Sequence, residues 1–495
     1  MRLKIKKFKW FTGRPVVFLH PKTTARMNIF QNDRVSLSLK GQNISAIVNV
    51  VSGIIKHDEI GLSEEIFNVF DIKKEKTIDV TPSEMSPASV IIKKKLLNNK
   101  LTKEEIEIVI NEIVKNNLTE GEIAYFVAAQ MVHKMTIQEC VYLTDAMVKS
   151  GLRLEFNSND NIVDKHCIGG IAGNRTTPIV VCICAVAGLK IPKTSSRAIT
   201  SAAGTADVIE TIANVELNPK ELQDIVNKHN ACLAWGGGIK LSPSDDKIIQ
   251  LERLLNLDVE SQLLASIMSK KIAAGSKKIL IDIPYGNGAK FSNIEQAKSL
   301  GNKFRQIAKY FDVKIDTAFT DGSQPIGNGI GANLEMFDVI KVLKCDSNAP
   351  LDLREKSLEL AERLLRLGNI KDPKTIAKEI LDSGKAYQKF VEIVNAQNNS
   401  NDFDSRVKKL SYGKFKKDIL AKRSGEITRI DNKEINLVSR ILGCPEIKTA
   451  GIYLNKHVGP VKKGDIIMTL YSEDVQKIED AEGYLTNNEV FIIKN

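Results

Sequence analysis

The chain has 495 residues, 43% hydrophobic and 26% charged, with a formal net charge of +11. That length exceeds a single hydrophobic core and predicts three or four domains of ordinary globular composition. No apolar run of about 18 residues occurs, which excludes a helical membrane span, and the basic start MRLKIKKFKW leads into no apolar signal core, so a cytoplasmic location is expected.

The first 84 residues alternate strand-like runs with turns (KIKKF, RPVVFLH, DRVSLSL, ISAIVNVV, KTIDVT), which predicts a β-rich domain, a small barrel. Over residues 85–158 the apolar period becomes helical. Three capping boxes, Thr102 with Glu105, Thr119 with Glu122 and Thr136 with Glu139, each open an amphipathic run. This reads as a helical lobe, and a helical stretch over 240–275 is expected to join it. An α/β lobe follows over 159–345. NIVDK (161–165) reads as the end of a buried strand, and Gly169, Gly170 and Gly173 permit a tight turn that exposes N–H groups. Thr177 before Pro178 reads as an N-cap and first helical residue of PIVVCICAVAGL. KIPKT is a strand, residues 195–205 (SSRAITSAAGT) are rich in hydroxyl and guanidinium donors, and ADVIETIANVE reads as a helix. A polar turn at 240–246 precedes the helix KIIQLERLLNL. The strand KKILIDIP then ends in a glycine turn, YGNGAK. Strands alternating with helices predict a mainly parallel sheet, whose ligands gather at the carboxyl ends of its strands. Residues 346–495 read as helical to about 420 and as α+β beyond. The fold class is therefore α/β multidomain.

Seven cysteines (140, 167, 182, 184, 232, 345, 444) are odd in number and scattered, and six histidines are equally dispersed. Reduced thiols and no metal site are expected. The lysines are interleaved with glutamates (KKEKT, TKEEIEIV) rather than gathered with aromatics. That favours a solvated basic surface over a nucleic-acid partner, with a field suited to anionic substrates.

On residues alone, two donor-rich loops suggest a ligand carrying phosphate, against the alternative of ordinary glycine turns after strands. Asp258 reads as the N-cap of the helix VESQLLASIMSKK. Ser266 and Lys270, four apart on that helix, share a face that is either a recognition face or a solvated one.

Four ordered motifs, KHCIGG (165–170), SSRAITSAAGTAD (195–207), LDVESQLLASIMSKKIAAG (257–275) and TDGSQPIGNGIGANLE (320–335), resemble the thymidine/AMP phosphorylase family over nearly the whole chain. The likeness is greatest to its archaeal AMP-acting branch. The resemblance implies phosphorolysis of a nucleoside 5′-monophosphate to free base and a sugar 1-phosphate, with inorganic phosphate as cosubstrate and no cofactor. AMP is the expected substrate, with CMP and UMP as further candidates. It also implies a homodimer or higher homo-oligomer, assembled with the help of the N-terminal domain, and lobes that close over a cleft.

Carried over by position, Lys165, Thr177, Ser195, Thr205 and the backbone N–H groups of Gly169 and Gly170 would hold phosphate. Asp258 would be the proton donor, a role that requires a carboxyl kept protonated by burial or by a nearby anion such as a 5′-phosphate. Ser266 and Lys270 would read the base. Lys290 would pair the 5′-phosphate, and the segment Ser196, Arg197, Ala198, Ile199, Thr200 and Ser201 also favours a monophosphate. Three positions depart from the family pattern: Cys167 stands in place of serine, Asn174 of aspartate and Ala202 of proline, the last with little consequence expected. The alternatives are a thymidine or pyrimidine-nucleoside phosphorylase and, from another class, a basic nucleic-acid-binding protein with a decayed site.

Overall fold

The computed structural model describes residues 1–73, 75–83, 86–157, 160–198 and 201–494. Its chain divides into two compact units, Met1–Ser150 with Pro243–Leu263, and Gly151–Ser242 with Leu264–Asn495.

The first unit begins with a closed barrel. Its strands are β1 (Arg2–Lys7), β2 (Val16–Leu19), β3 (Arg34–Leu39), β4 (Gln42–Val50), β5 (Glu59–Leu62) and β6 (Thr77–Pro82), in the order β1-β5-β2-β4-β3-β6. Alternation drives it: Val35 and Leu37 of β3 are fully buried while Ser36 between them is not. Two short helices, α1 (Pro21–Met27) and α2 (Glu64–Phe70), and strand β5 were not read from the sequence. They are too short to show a period of their own.

Helices α3 (Pro87–Leu96), α4 (Lys103–Val114), α5 (Glu120–Val132) and α6 (Ile137–Ser150) follow. All three capping boxes close, each glutamate N–H donating to its threonine Oγ1 at 3.1–3.3 Å. The C-terminal carbonyls of α4 accept from Lys247 Nζ, at 2.7 Å for Ile113 O and 3.0 Å for Val114 O. Glu139 does more than cap. It accepts from Lys95 Nζ at 2.9 Å and from Leu101 N at 3.1 Å, and both charged side chains are 2% exposed.

The second unit carries the parallel sheet. In chain order come β7 (Val163–Cys167), α7 (Thr176–Val186), β8 (Ile191–Ser195), α8 (Thr205–Ile209), α9 (Pro219–His229), β9 (Ala231–Trp235) and α10 (Gly236–Ile239). Helix α11 (Pro243–Leu255) belongs to the first unit, and α12 (Glu260–Ala273) begins there and ends in the second. Then follow β10 (Lys278–Tyr285), α13 (Ile294–Ala308), β11 (Lys314–Asp321), β12 (Gly329–Ile330), α14 (Ala332–Leu343), α15 (Leu351–Leu367), α16 (Pro373–Asp382), α17 (Lys385–Asn398) and α18 (Phe403–Lys408).

β11, β10 and β7 pair in parallel, as do β8 and β9. Bonds from Val163 N to Lys190 O (2.9 Å) and from Lys190 N to Asn161 O (3.0 Å) join the two sheets. The loops at 168–175, 196–204, 236–242, 286–293 and 322–331 therefore leave the same edge, at the carboxyl ends of the strands. Helix α8 stops at Ile209, short of the expected ADVIETIANVE helix. Val215 instead accepts from Trp235 N at 2.8 Å, so the chain returns to the end of β9.

Helix α7 is buried from Thr176 to Ala185 and shares a core with Leu360, Leu364 and Phe390 of α15 and α17. The expected boundary at 345/346 thus falls inside one core. The chain ends in β13 (Phe415–Leu420), β14 (Gly425–Ile430), α19 (Asn432–Ile441), β15 (Gly451–Leu454), β16 (Gly459–Val461), β17 (Ile466–Ser472), α20 (Val475–Asn487) and β18 (Phe491–Lys494). These form two antiparallel sheets, β12-β15-β17-β13 and β16-β14-β18. β13, expected as helix, is a strand because it pairs with the distant β17. Among the described residues no helix is long and apolar enough to cross a membrane.

Replacing Lys95 with Met would leave the buried Glu139 carboxylate without its cation. A loss of about 3 kcal/mol is expected, seen as a lower midpoint in chemical denaturation.

Candidate active site

Lys165 lies in the middle of β7, which continues to Cys167, rather than at the strand end read from NIVDK. It is 1% exposed, and its ammonium donates to Thr176 Oγ1 at 2.7 Å and to Thr177 Oγ1 at 3.4 Å. Thr177 is therefore not the N-cap expected. Helix α7 begins at Thr176 with Arg175 as N-cap, and both threonine hydroxyls turn to the buried ammonium. Burial pulls the Lys165 ammonium below the usual lysine range, against the nearby Cys167 and Asp282.

After β7 the chain turns through Gly169 and Gly170 at φ of 91° and 93°. A Cβ on Gly170 would stand 3.3 Å from the backbone nitrogen of Lys290, so the first glycine loop lies against the one after β10. Asn174 Nδ2 approaches Cys167 Sγ at 3.5 Å. Burial pushes the Cys167 thiol up to about 11, so it stays protonated at neutral pH.

Arg175, not singled out from the sequence, binds the two donor loops together. Its Nη1 donates to Thr205 Oγ1 at 2.6 Å, its Nη2 to Ala203 O at 2.9 Å, and its Nε to Glu335 Oε2 at 2.7 Å. Glu335 lies in the fourth motif, on α14, and burial raises its carboxyl to about 7 although Arg175 opposes the shift. A lone Arg before a helix and a lone Glu 160 positions later carry no local signal of pairing.

In the second loop Asp207 accepts from Ala198 N at 2.7 Å and Gly204 N at 2.8 Å. Gly204 is required there: a Cβ would come within 2.5 Å of Ser196 O and of the Arg197 carbonyl carbon. Arg197, expected to bind substrate, has its guanidinium occupied within the protein. It forks onto Glu210 at 2.8 and 2.6 Å and stacks 4.7 Å from the Trp235 ring. Ser196 is exposed and Ser195 half-buried at the end of β8. Ser201 Oγ donates to Ala203 O at 2.9 Å, while Ile199 and Thr200 lie outside the described residues. The N–H of Ala202 donates to Asn436 Oδ1 at 2.9 Å, a bond that proline could not make.

Around these loops the sheet buries cations in excess. Lys165, Lys193, Lys271 and Lys356 are each at most 8% exposed, and the aspartates among them are Asp164 and Asp282, both fully buried. Lys271 Nζ meets Asp164 Oδ2 at 2.8 Å and Lys193 Nζ meets Asp164 Oδ1 at 3.8 Å. Asp282 accepts from Thr320 Oγ1 at 2.6 Å and has Lys356 Nζ at 3.5 Å. Burial, then the charge of Lys271, drives the Lys193 ammonium far below its ordinary value. His166 is pushed well down by burial and by Lys271, Lys193, Lys165 and Lys270. A site that disfavours its own cations is stabilised by an anion.

On α12, Ser266 and Lys270 are half-buried and one turn apart, next to the anchored Lys271. Lys290 is half-buried after the glycine turn that follows β10. Asp258 belongs to the first unit, is exposed, and lies two residues before α12 starts at Glu260 rather than at its cap. Among the described residues no group of three or more His, Cys, Asp or Glu is placed to hold a metal.

Family models match along the chain in order: the glycosyl transferase family helical bundle domain over 89–151, the glycosyl transferase family a/b domain over 159–387, and the pyrimidine nucleoside phosphorylase C-terminal domain over 426–490. An AMP phosphorylase of Pyrococcus furiosus is 40% identical over 97% of this chain and 95% of its own length. The chain belongs to the thymidine/AMP phosphorylase family. An AMP phosphorylase of Methanocaldococcus jannaschii is 39% identical, covering 94% of this chain and 92% of its own. A Legionella pneumophila protein provisionally named thymidine phosphorylase is 40% identical over 93% of this chain and 88% of its own. Anthranilate phosphoribosyltransferase from Thermus thermophilus shares the fold, with a TM-score of 0.53 at 15% identity, covering 62% of this chain and 99% of that one.

Glu335 supplies a pH test. Its folded value of about 7 lies above the ordinary 4.5, so its contribution to stability is complete below pH 4.5 and is lost as pH rises through 7. The stability of the native chain minus that of Glu335→Gln should therefore be larger at pH 5 than at pH 8, by up to about 3 kcal/mol. Urea denaturation of both proteins at the two pH values measures it.

Proposed function

We propose that the chain catalyses phosphorolysis of a nucleoside 5′-monophosphate, AMP first among them, to adenine and ribose 1,5-bisphosphate. The observation that carries the reading is the match to AMP phosphorylases along nearly the full length of both chains. The excess of buried cations, Lys165 on β7 and Lys193 on β8 with Lys271 of α12 and Lys356 of α15 packed by Asp164 and Asp282, supports an anionic cosubstrate.

In this reading a phosphate oxygen forms a bond to C1′, the C1′–N bond breaks with its electron pair moving to the base, and a proton neutralises the leaving base. Lys165, Thr177, Ser195, Thr205 and the Gly169 and Gly170 amides hold phosphate, where cationic and N–H donors offset its charge as it nears a centre of oxocarbenium character. Asp258 supplies the proton. The role asks for a carboxyl held protonated by a nearby anion, which the 5′-phosphate of the nucleotide would supply. Ser266 and Lys270 recognise the base, and Lys290 pairs the 5′-phosphate.

No cofactor enters the reaction, and the enzyme acts in the cytoplasm as a homo-oligomer. Trp10, Phe11 and Phe30, exposed near and on the barrel, support self-association there. The second reading, a pyrimidine-nucleoside phosphorylase, is favoured by the Legionella relative and by the C-terminal family model.

Two measurements separate these readings. Base release should be seen from AMP and not from adenosine or thymidine, and Lys290→Ala should cost about a hundredfold in kcat/KM for AMP. Release from thymidine that is indifferent to Lys290 would return the chain to the pyrimidine branch. Asp258→Asn should lower kcat by about two to four orders of magnitude while leaving the phosphate KM in place, as steady-state assays would report.

A further inference from the structure

The tips of both donor loops are seated in the core of the C-terminal domain. Ala172 of the first loop and Ala202 of the second are 0% and 1% exposed and pack with Ile330, Ile435 and Val438. Each tip is held by an asparagine of α19. Asn432 Oδ1 accepts from Ala172 N at 2.9 Å, and Asn436 Oδ1 accepts from Ala202 N at 2.9 Å.

The two asparagines are one turn apart, so one helix face grips both loops. Asn432 also donates through Nδ2 to Gly322 O at 3.1 Å, which brings in the loop after β11. Both are buried, at 0% and 6% exposed. A third tie runs from Lys448 Nζ to Glu210 Oε2 at 3.0 Å, and Glu210 holds Arg197 of the second loop.

We infer that Asn432 and Asn436 are positioning residues, through which the C-terminal domain sets the separation of the two loops that hold the anion. Arg175 fixes that separation near the start of α7, at Ala203 and Thr205. α19 fixes it at the tips. Phosphate has to meet the Gly169 and Gly170 amides of the first loop and Ser195 and Thr205, which flank the second, so its affinity depends on both ties. The nucleotide contacts assigned to Ser266 and Lys270 lie on α12, away from α19, whereas the loop that carries Lys290 touches Asn432: a Cβ on Gly288 would stand 3.5 Å from Asn432 N. The inference rests on the phosphorolysis reading for the identity of the anion.

The bond between Ala202 and Asn436 can be removed from either end, by Ala202→Pro, which deletes the N–H, or by Asn436→Ala, which deletes the acceptor. Each should weaken inorganic phosphate about tenfold, the net worth of one buried hydrogen bond. The loss should show both as a calorimetric Kd and as a phosphate KM, with the AMP KM within about twofold. Asn436→Asp, which keeps an acceptor, should restore phosphate affinity, and the double variant should bind phosphate no worse than the weaker single. Asn432→Ala should weaken phosphate at least as much, since it also loses the bond to Gly322 O, and the AMP control is read from the Asn436 variants, because Asn432 also touches the loop that carries Lys290.

Additive losses, an unchanged phosphate Kd, or a fall in every kinetic parameter in step with Tm would overturn the inference. Calorimetry with phosphate requires no turnover. A wild-type chain that shows this phosphate pattern but releases no base from any nucleotide would overturn phosphorolysis and leave the positioning role standing.

Discussion

Like charge buried between a parallel sheet and the helices packed on it is the constraint on which the second unit depends. Lys165, Lys193, Lys271 and Lys356 are shielded from water with Asp164 and Asp282 between them. An ammonium without a full counter-charge in such a place costs several kcal/mol. Burial accordingly lowers Lys165, Lys193 and His166 from their ordinary values. A fold keeps such an arrangement when something else brings the missing negative charge, the part proposed above for phosphate.

The surrounding structure holds this charged edge still. Asp207 ties Ala198 to Gly204 within the second loop, Arg175 ties that loop to the first and to α14, and α19 ties both tips to the C-terminal domain. Arg197 belongs to the same scaffold, since its guanidinium is shared among Glu210, Asp207 and the Trp235 face. Two charged groups thus exchange the standing the sequence suggests for them. The arginine inside a recognisable motif is engaged by protein carboxylates, and the arginine ahead of α7 joins the two loops.

Much of the architecture was legible because its signals are local. The three Thr-x-x-Glu boxes marked the starts of α4, α5 and α6, and each forms as written. The alternation of β3 and the continuous apolar run of α7 marked a half-buried strand and a buried helix. The glycines of the first loop marked a turn, and they adopt positive φ. What was misread lacked a local signal. β13 is a strand only through β17, some fifty residues on, and the helix after Thr205 ends at Ile209, before Val215 joins the end of β9. Thr177 reads as a cap until Lys165, twelve residues earlier, draws its hydroxyl away.

The sequence by itself determined most of the longer elements, the two donor loops after strands, the family likeness and the lysine that argues for a 5′-phosphate. These follow from short-range patterns and residue identity. Tertiary structure alone decided which groups share a bond: Arg175 with Glu335, Ala172 with Asn432, Ala202 with Asn436, Lys271 with Asp164. The physical reason is that each of these is a contact between residues about one hundred or more positions apart. Its energy exists only once the sheet has brought the strand ends together, and no spacing along the chain encodes it.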